Sequence, residues 1–200
     1  MSILILTHNR PKLFQRCLES ALNNIPSDVE ILVNNDSNDI EEIQHPQVQY
    51  FYENPEHLSD KYKFLLDKAQ GEHIYYLEDD DYLVTNFYNI VMPLLDNDFI
   101  AGNYFPTWNN GWVLRCVTSQ MTEINLEGDE LQLSQFIMRR SIACTFEFPK
   151  DSHIHNDQKM VTHVYKNAKS VININKVLYY QTTDGGDNIS FPESKNYYGI

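Results

Sequence analysis

An α/β fold with a parallel-rich sheet is predicted by three features of this 200-residue sequence. Short apolar runs rich in β-formers alternate with amphipathic helical stretches in the order β-α-β-β-α-β. The runs after the first, second and fourth strands each stop in a polar cluster. Those clusters fall on one edge of a parallel sheet, the edge where open α/β sheets bind ligands. The most pronounced stop comes where Ile74-Tyr75-Tyr76-Leu77 gives way to Glu78-Asp79-Asp80-Asp81.

Ser2–Leu6 reads as the first strand, ended by Thr7-His8-Asn9-Arg10-Pro11. Proline cannot extend a strand but suits the first turn of a helix. The helix runs over Lys12–Asn23, where Leu13, Phe14, Cys17, Leu18, Ala21 and Leu22 recur on one face. Asp28–Val33 is the second strand, stopped by the turn cluster Asn34-Asn35-Asp36-Ser37-Asn38-Asp39. Val48–Tyr52 is the third. Asp60–Gln70 reads as a helix with Tyr62, Leu65, Leu66 and Ala69 inward and Gly71 as C-cap. His73–Leu77 is the fourth strand. Phe87–Leu95 reads as a helix capped by Thr85 or Asn86. Further on, strands are expected at Asp98–Phe105, Gly111–Ser119, Ser170–Ile174 and Val177–Gln181, and helices at Glu130–Met138 and Gln158–Asn167. The tail from Thr182 reads as a polar loop.

Composition narrows the function. A chain of this length buries about 70% of its unfolded surface and needs no staples. Cys17, Cys116 and Cys144 are odd in number and widely spaced, which argues against a disulfide scaffold or zinc site and for a reducing, cytoplasmic setting. The net charge of −13 removes the bulk basic surface that holds nucleic acid. No stretch approaches the roughly 20 apolar residues of a membrane span. The opening MSILILTHNR lacks a basic leader and cleavage site, so it reads as a strand rather than a signal peptide.

Three constellations carry chemistry. Four successive acids repel one another unless a hard cation neutralises them, and Mg²⁺, Mn²⁺ or Ca²⁺ takes such oxygen ligands. Asp80 is the leading candidate ligand, with Glu78 and Asp81 next; capping of the following helix is the competing reading. Thr7, His8, Asn9 and Arg10 face Asp36 and Asp39 across the crevice. There a carboxylate can accept hydrogen bonds from a ribose or base, and a helix start offers partial positive charge to phosphate; local turn chemistry is the alternative. Asp157 opens a helix as a cap or a general base. His153 and His155 are weaker candidates for metal or phosphate contact. Arg139, Arg140 and Lys61 are cations able to pair with phosphate.

The ordered motifs resemble family 2 glycosyltransferases of the GT-A fold. An apolar strand leads into a T-x-N-R segment at Ile5-Leu6-Thr7-His8-Asn9-Arg10, and the helix spacing of Leu13, Cys17, Leu18, Ser20 and Leu22 follows. The family's E-I-I-V-V-D-D-G-S-x-D segment appears as Glu30 to Asp39, without its glycine and with Asn35 for the first Asp. Its A-x-G-E-y-I-x-x-L-D-x-D-D segment appears as Ala69 to Asp81, with Glu78 for the usual Asp. The second half is similar more loosely. Phe136-Ile137-Met138-Arg139-Arg140 and Asn156-Asp157 match F-x-R-R and an E-D helix start, whereas Leu178 to Thr183 lacks the Arg and His of Y-R-x-H. The Q-x-x-R-W motif of processive polymer synthases is absent.

The resemblance implies a mixed, mostly parallel sheet flanked by helices. A Rossmann-like nucleotide-sugar half would span residues 1–98, and a smaller acceptor-binding and catalytic-base half residues 99–200. It implies Mn²⁺ or Mg²⁺ on Asp80, Glu78 and Asp81. Thr7, His8, Asn9, Arg10, Asp36, Lys61, Asp79 and Asp80 would hold the donor, with a UDP-sugar favoured, and Asp157 would serve as catalytic base. The implied reaction is inverting transfer of a hexosyl or pentosyl group to a hydroxyl acceptor. Saccharides and other hydroxyl compounds are candidate acceptors; a hydroxylated DNA base is disfavoured by the acidic balance. Two rivals stay open. A sugar-phosphate nucleotidyltransferase would want a Gly-rich loop after strand one, which Thr7–Pro11 does not supply. A non-catalytic nucleotide-sugar or metal-binding module would have lost the base, yet Asp157 is present.

Overall fold

The computed structural model describes residues 1–37, 40–107, 132–149 and 156–182. Eight strands form one sheet in the order β3-β2-β1-β4-β7-β6-β8-β5. They are β1 (Ser2–Thr7), β2 (Glu30–Asn35), β3 (Val48–Phe51), β4 (His73–Tyr76), β5 (Tyr82–Leu83), β6 (Phe99–Thr107), β7 (Phe136–Arg139) and β8 (Val171–Thr182). The pairs β1–β2, β1–β4, β2–β3 and β6–β8 are parallel; β4–β7, β6–β7 and β5–β8 are antiparallel. Strand β7 therefore reverses direction between β4 and β6, so the C-terminal ends of β1, β2, β4, β6 and β8 all reach the same edge. This mixed, mostly parallel sheet flanked by helices is the GT-A arrangement.

Both faces of the sheet are covered, which explains why its strands read as unbroken apolar runs. Ile3, Ile5, Ile31 and Val33 pack against Phe14, Cys17, Leu18 and Ala21 of helix α1 (Pro11–Asn24). On the opposite face Leu4, Leu32, Ile74 and Tyr76 meet Leu65 and Leu66 of α2 (Leu58–Lys68), and Val161 and Val164 of α5 (Asn156–Asn167). The alternation of Ile3, Leu4 and Ile5 between the two clusters is the period of two that a strand imposes.

Several sequence expectations are corrected. The helix expected over Glu130–Met138 is, in its described part, a 3₁₀ turn at Leu133–Gln135 followed by β7. Phe136, Ile137 and Met138 are buried between β4 and β6, so tertiary pairing decides a run whose own periodicity is ambiguous. Phe87–Leu95 splits into α3 (Phe87–Val91) and a 3₁₀ turn (Met92–Leu94) at Pro93, and the Asn86 side chain makes no capping bond. Gly71 is not the C-cap of α2, a position taken by Ala69. A Cβ on Gly71 would come within 2.5 Å of the Met1 carbonyl carbon, so glycine permits close passage past β1. The two strands expected near the end are one, β8, paired with β6 through register shifts near Gly102. A short α4 (Arg140–Ala143) follows β7. The expected strand at Gly111–Ser119, the polar tail beyond Thr182, Asp39, His153 and His155 lie outside the described residues.

Candidate active site

Strand β4 delivers the acids to the sheet's C-terminal edge, where the turn after Tyr76 brings carboxylate oxygens of Glu78, Asp80 and Asp81 within 4.8 Å of one another. The turn is held from four directions. From the loop before α1, Arg10 Nη1 donates to Asp79 Oδ1 and Asp80 Oδ2, both at 3.1 Å. From α1 itself, Arg16 Nη2 donates to the Asp80 carbonyl at 2.7 Å and to Thr182 Oγ1 at 2.5 Å. From the end of β8, the Thr182 amide donates to Asp81 Oδ1 at 3.1 Å and its hydroxyl to the Asp80 carbonyl. Beneath the turn, the Ser134 hydroxyl accepts from the Glu78 amide at 3.1 Å.

Burial and mutual repulsion make these acids reluctant to ionise. Desolvation, then the charges of Asp80, Asp157 and Asp79, lifts the Glu78 carboxyl to about 8. Desolvation and Asp80 lift Asp79 to about 6, against the pull of Arg10. Burial also raises Asp80 and, further, Asp81. Asp81 Oδ2, beside the Ser134 hydroxyl, and Thr7 Oγ1, beside Asp79, are buried and short of a full hydrogen bond.

Asp36 forms a second cluster on the same edge. Its Oδ1 meets His8 Nδ1 at 2.5 Å, and its Oδ2 accepts from Lys61 Nζ on α2. Burial alone would raise its pKa, but the hydrogen bonds from Lys61 and His8 more than offset that and hold it below the usual carboxylate range. Asn9 takes a left-handed φ of 52° and donates its amide to Ser37 Oγ at 3.1 Å, joining the loops after β1 and β2. A carboxylate has about four lone-pair sites, so two partners leave Asp36 room to accept from a ligand.

Asp157 lies in the first turn of α5. It is near enough for its charge to raise both Glu78 and the Tyr62 hydroxyl of α2, whose main shift comes from burial. Thus Thr7, His8, Asn9, Arg10, Asp36, Lys61, the four acids and Asp157 gather at one edge. Arg139 and Arg140 do not join them. Arg139 pairs with Glu72 and Asp98, and Arg140 donates to the Gly71 carbonyl at 3.0 Å, both at the opposite end of β4. Sequence reasoning missed Arg16, Ser134 and the role of Thr182, and read Tyr62 only as a core-facing position of its helix. The partners of Arg16, Ser134 and Thr182 are distant in sequence, and no local pattern marks those three.

A family model for glycosyl transferase family 2 matches residues 2–136. The chain belongs to glycosyltransferase family 2. Solved structures agree with this assignment in fold. The S. aureus TarS 1–349 structure superposes with a TM-score of 0.70 at 19% identity, over 90% of this chain and 60% of TarS 1–349. The same TarS fragment in complex with UDP-GlcNAc gives 0.71 at 18%, over 91% and 58%, and in complex with UDP 0.71 at 17%, over 91% and 60%. The chain therefore spans about 60% of that fragment. No curated protein matches the sequence. In this family 2 chain, no helix among the described residues is long and apolar enough to cross a membrane.

Proposed function

We propose that the protein is a metal-dependent glycosyltransferase that moves a hexosyl or pentosyl group from a nucleotide-diphosphate sugar to an acceptor hydroxyl with inversion. The observation that carries the reading is the meeting of the acid turn, Asp36 and Asp157 at one sheet edge. Solved TarS structures hold UDP-GlcNAc and UDP, which favours a UDP-sugar as donor here. Residues 1–98 act as the donor half and residues 99–200 as the acceptor and base half. Among the described residues, Cys17 and Cys144 form no disulfide, which suits the reducing cytoplasm.

The donor set fits Mn²⁺ or Mg²⁺. Three carboxylates supply hard oxygens, Asp81 Oδ2 is buried without a full hydrogen bond, and the acids carry more repulsion than Arg10 relieves. Asp80, Glu78 and Asp81 would hold the ion, which supplies positive charge beside the departing diphosphate. Asp36, with His8 and Lys61 behind it, accepts hydrogen bonds from the nucleoside. Thr7, Asn9 and Asp79 line the donor's path, and Arg10 reaches its phosphates. Asp157 removes the acceptor's proton as that oxygen bonds to the anomeric carbon. The bond from that carbon to the diphosphate oxygen breaks on the opposite face, and the nucleoside diphosphate leaves with the electron pair.

A donor screen with Mn²⁺, read by thermal shift and slow donor hydrolysis, tests the proposal. Asp80→Ala is expected to abolish the metal-dependent shift. Asp157→Ala is expected to keep donor binding and lose transfer by at least ~100-fold, the scale of general-base catalysis. Full turnover in both variants would overturn the assignment of roles.

A further inference from the structure

We infer that Arg10 is an internal counter-ion of the acid turn, one that a divalent cation must displace and that the donor's diphosphate draws away. The inference rests on the metal-dependent reading above and adds a reciprocal coupling between cation and donor.

The geometry is specific. One guanidinium nitrogen, Arg10 Nη1, lies 3.1 Å from both Asp79 Oδ1 and Asp80 Oδ2. The three side chains are only 13%, 9% and 9% exposed, so solvent screens the contact weakly. Asp80 is at once a partner of Arg10 and a member of the three-carboxylate cluster with Glu78 and Asp81. Arg10 thus spends its charge on a group that a cation would need. A unit positive charge a few ångströms from an incoming divalent ion opposes its binding, and the opposition is strong where water is scarce.

Guanidinium groups pair with phosphate as readily as with carboxylate. Arg10 sits at the residue before α1, where the chain turns from the β1 loop into the helix. A diphosphate arriving beside the acid turn offers Arg10 a second anion. Transfer of Arg10 to that anion frees Asp79 and Asp80. Donor and cation then each strengthen the other's binding by the same factor, as linkage requires.

Isothermal titration of Mn²⁺ alone into wild type, Arg10→Gln and Arg10→Lys, repeated with UDP present, tests this. Arg10→Gln is expected to bind Mn²⁺ about tenfold tighter than wild type through the lost repulsion. Arg10→Lys keeps the charge and is expected to stay within about threefold of wild type. The factor by which UDP strengthens Mn²⁺ binding is expected to shrink in Arg10→Gln. If Arg10→Gln fails to fold by circular dichroism, Arg10→Met keeps the apolar stem and takes its place. Equal or weaker Mn²⁺ binding in the neutral variant overturns the counter-ion role while leaving the metal reading intact. Equal tightening in the neutral and Lys variants overturns it too. Absence of Mn²⁺ binding in every form overturns both readings.

Discussion

At the scale of single residues, the site is built against stability. Glu78 and Asp79 hold protons up to about pH 8 and about pH 6 because burial and neighbouring carboxylates penalise their charge. In the unfolded chain such groups ionise near pH 4. Between those limits the folded state binds more protons than the unfolded state, so stability falls as pH rises from about 4 to about 8. Asp36 and His73 have the opposite sign. The depressed Asp36 pKa contributes stability that is lost only as pH falls below the usual carboxylate range, outside that window. His73, whose burial lowers its pKa, adds stability as pH rises through the imidazole range, one group against several raised carboxyls. Urea midpoints in EDTA are therefore expected to decline from pH 5 to pH 8. Asp81→Asn should flatten part of the slope and stabilise the metal-free protein at pH 8 by about 1–3 kcal/mol, the scale for removing a poorly compensated buried charge. A rising midpoint over the same range would contradict the burial of these acids. Asp81 is only 1% exposed, and the amide oxygen of Asn can still accept from the Thr182 amide.

At the scale of elements, the acid turn depends on a clamp between the first helix and the last strand. Arg16 of α1 bonds the Asp80 carbonyl and Thr182 of β8, and its guanidinium lies 4.5 Å from the centre of the Tyr82 ring in β5. Tyr82 in turn stacks on Tyr180 of β8 at 4.9 Å. Three elements are thereby fixed on the turn that carries the acids. Arg16→Ala is expected to cost about 2 kcal/mol, in line with one or two charge-assisted hydrogen bonds in a half-buried site. Arg16→Lys should recover less than half, since an ammonium cannot reproduce the fork over the ring. Chemical denaturation of both variants measures this, and an unchanged midpoint in Arg16→Ala would show the clamp to be slack. The clamp also marks the limit of what could be read beforehand. Helix α1, strands β1 to β4 and the acid turn were legible because each is written in a local period or a punctuating residue. Arg16 and Thr182 are 166 positions apart, so only the closed sheet reveals their partnership. Strand β7 escaped for a related reason: Phe136-Ile137-Met138 is apolar throughout, and its state is chosen by β4 and β6 on either side.

At the scale of the whole molecule, charge sets a problem that the site must solve. A net charge of −13 repels a nucleotide diphosphate at long range, while Arg10 and Lys61 attract it only at close quarters. Those two cations are already spent on Asp79, Asp80 and Asp36, which further shortens their reach. Salt screens the distant repulsion first, because the Debye length falls from about 30 Å at 0.01 M to about 8 Å at 0.15 M. The association rate of UDP is therefore expected to rise by about threefold between those ionic strengths, as like-charged partners do when screened. The dissociation rate should rise as well, since the close contacts are themselves ionic. Stopped-flow measurement in Mn²⁺ separates the two. An association rate that falls with salt would mean that the bound cation and the basic groups dominate the field at the mouth of the site. The acidic surface would then lie where an incoming donor does not feel it.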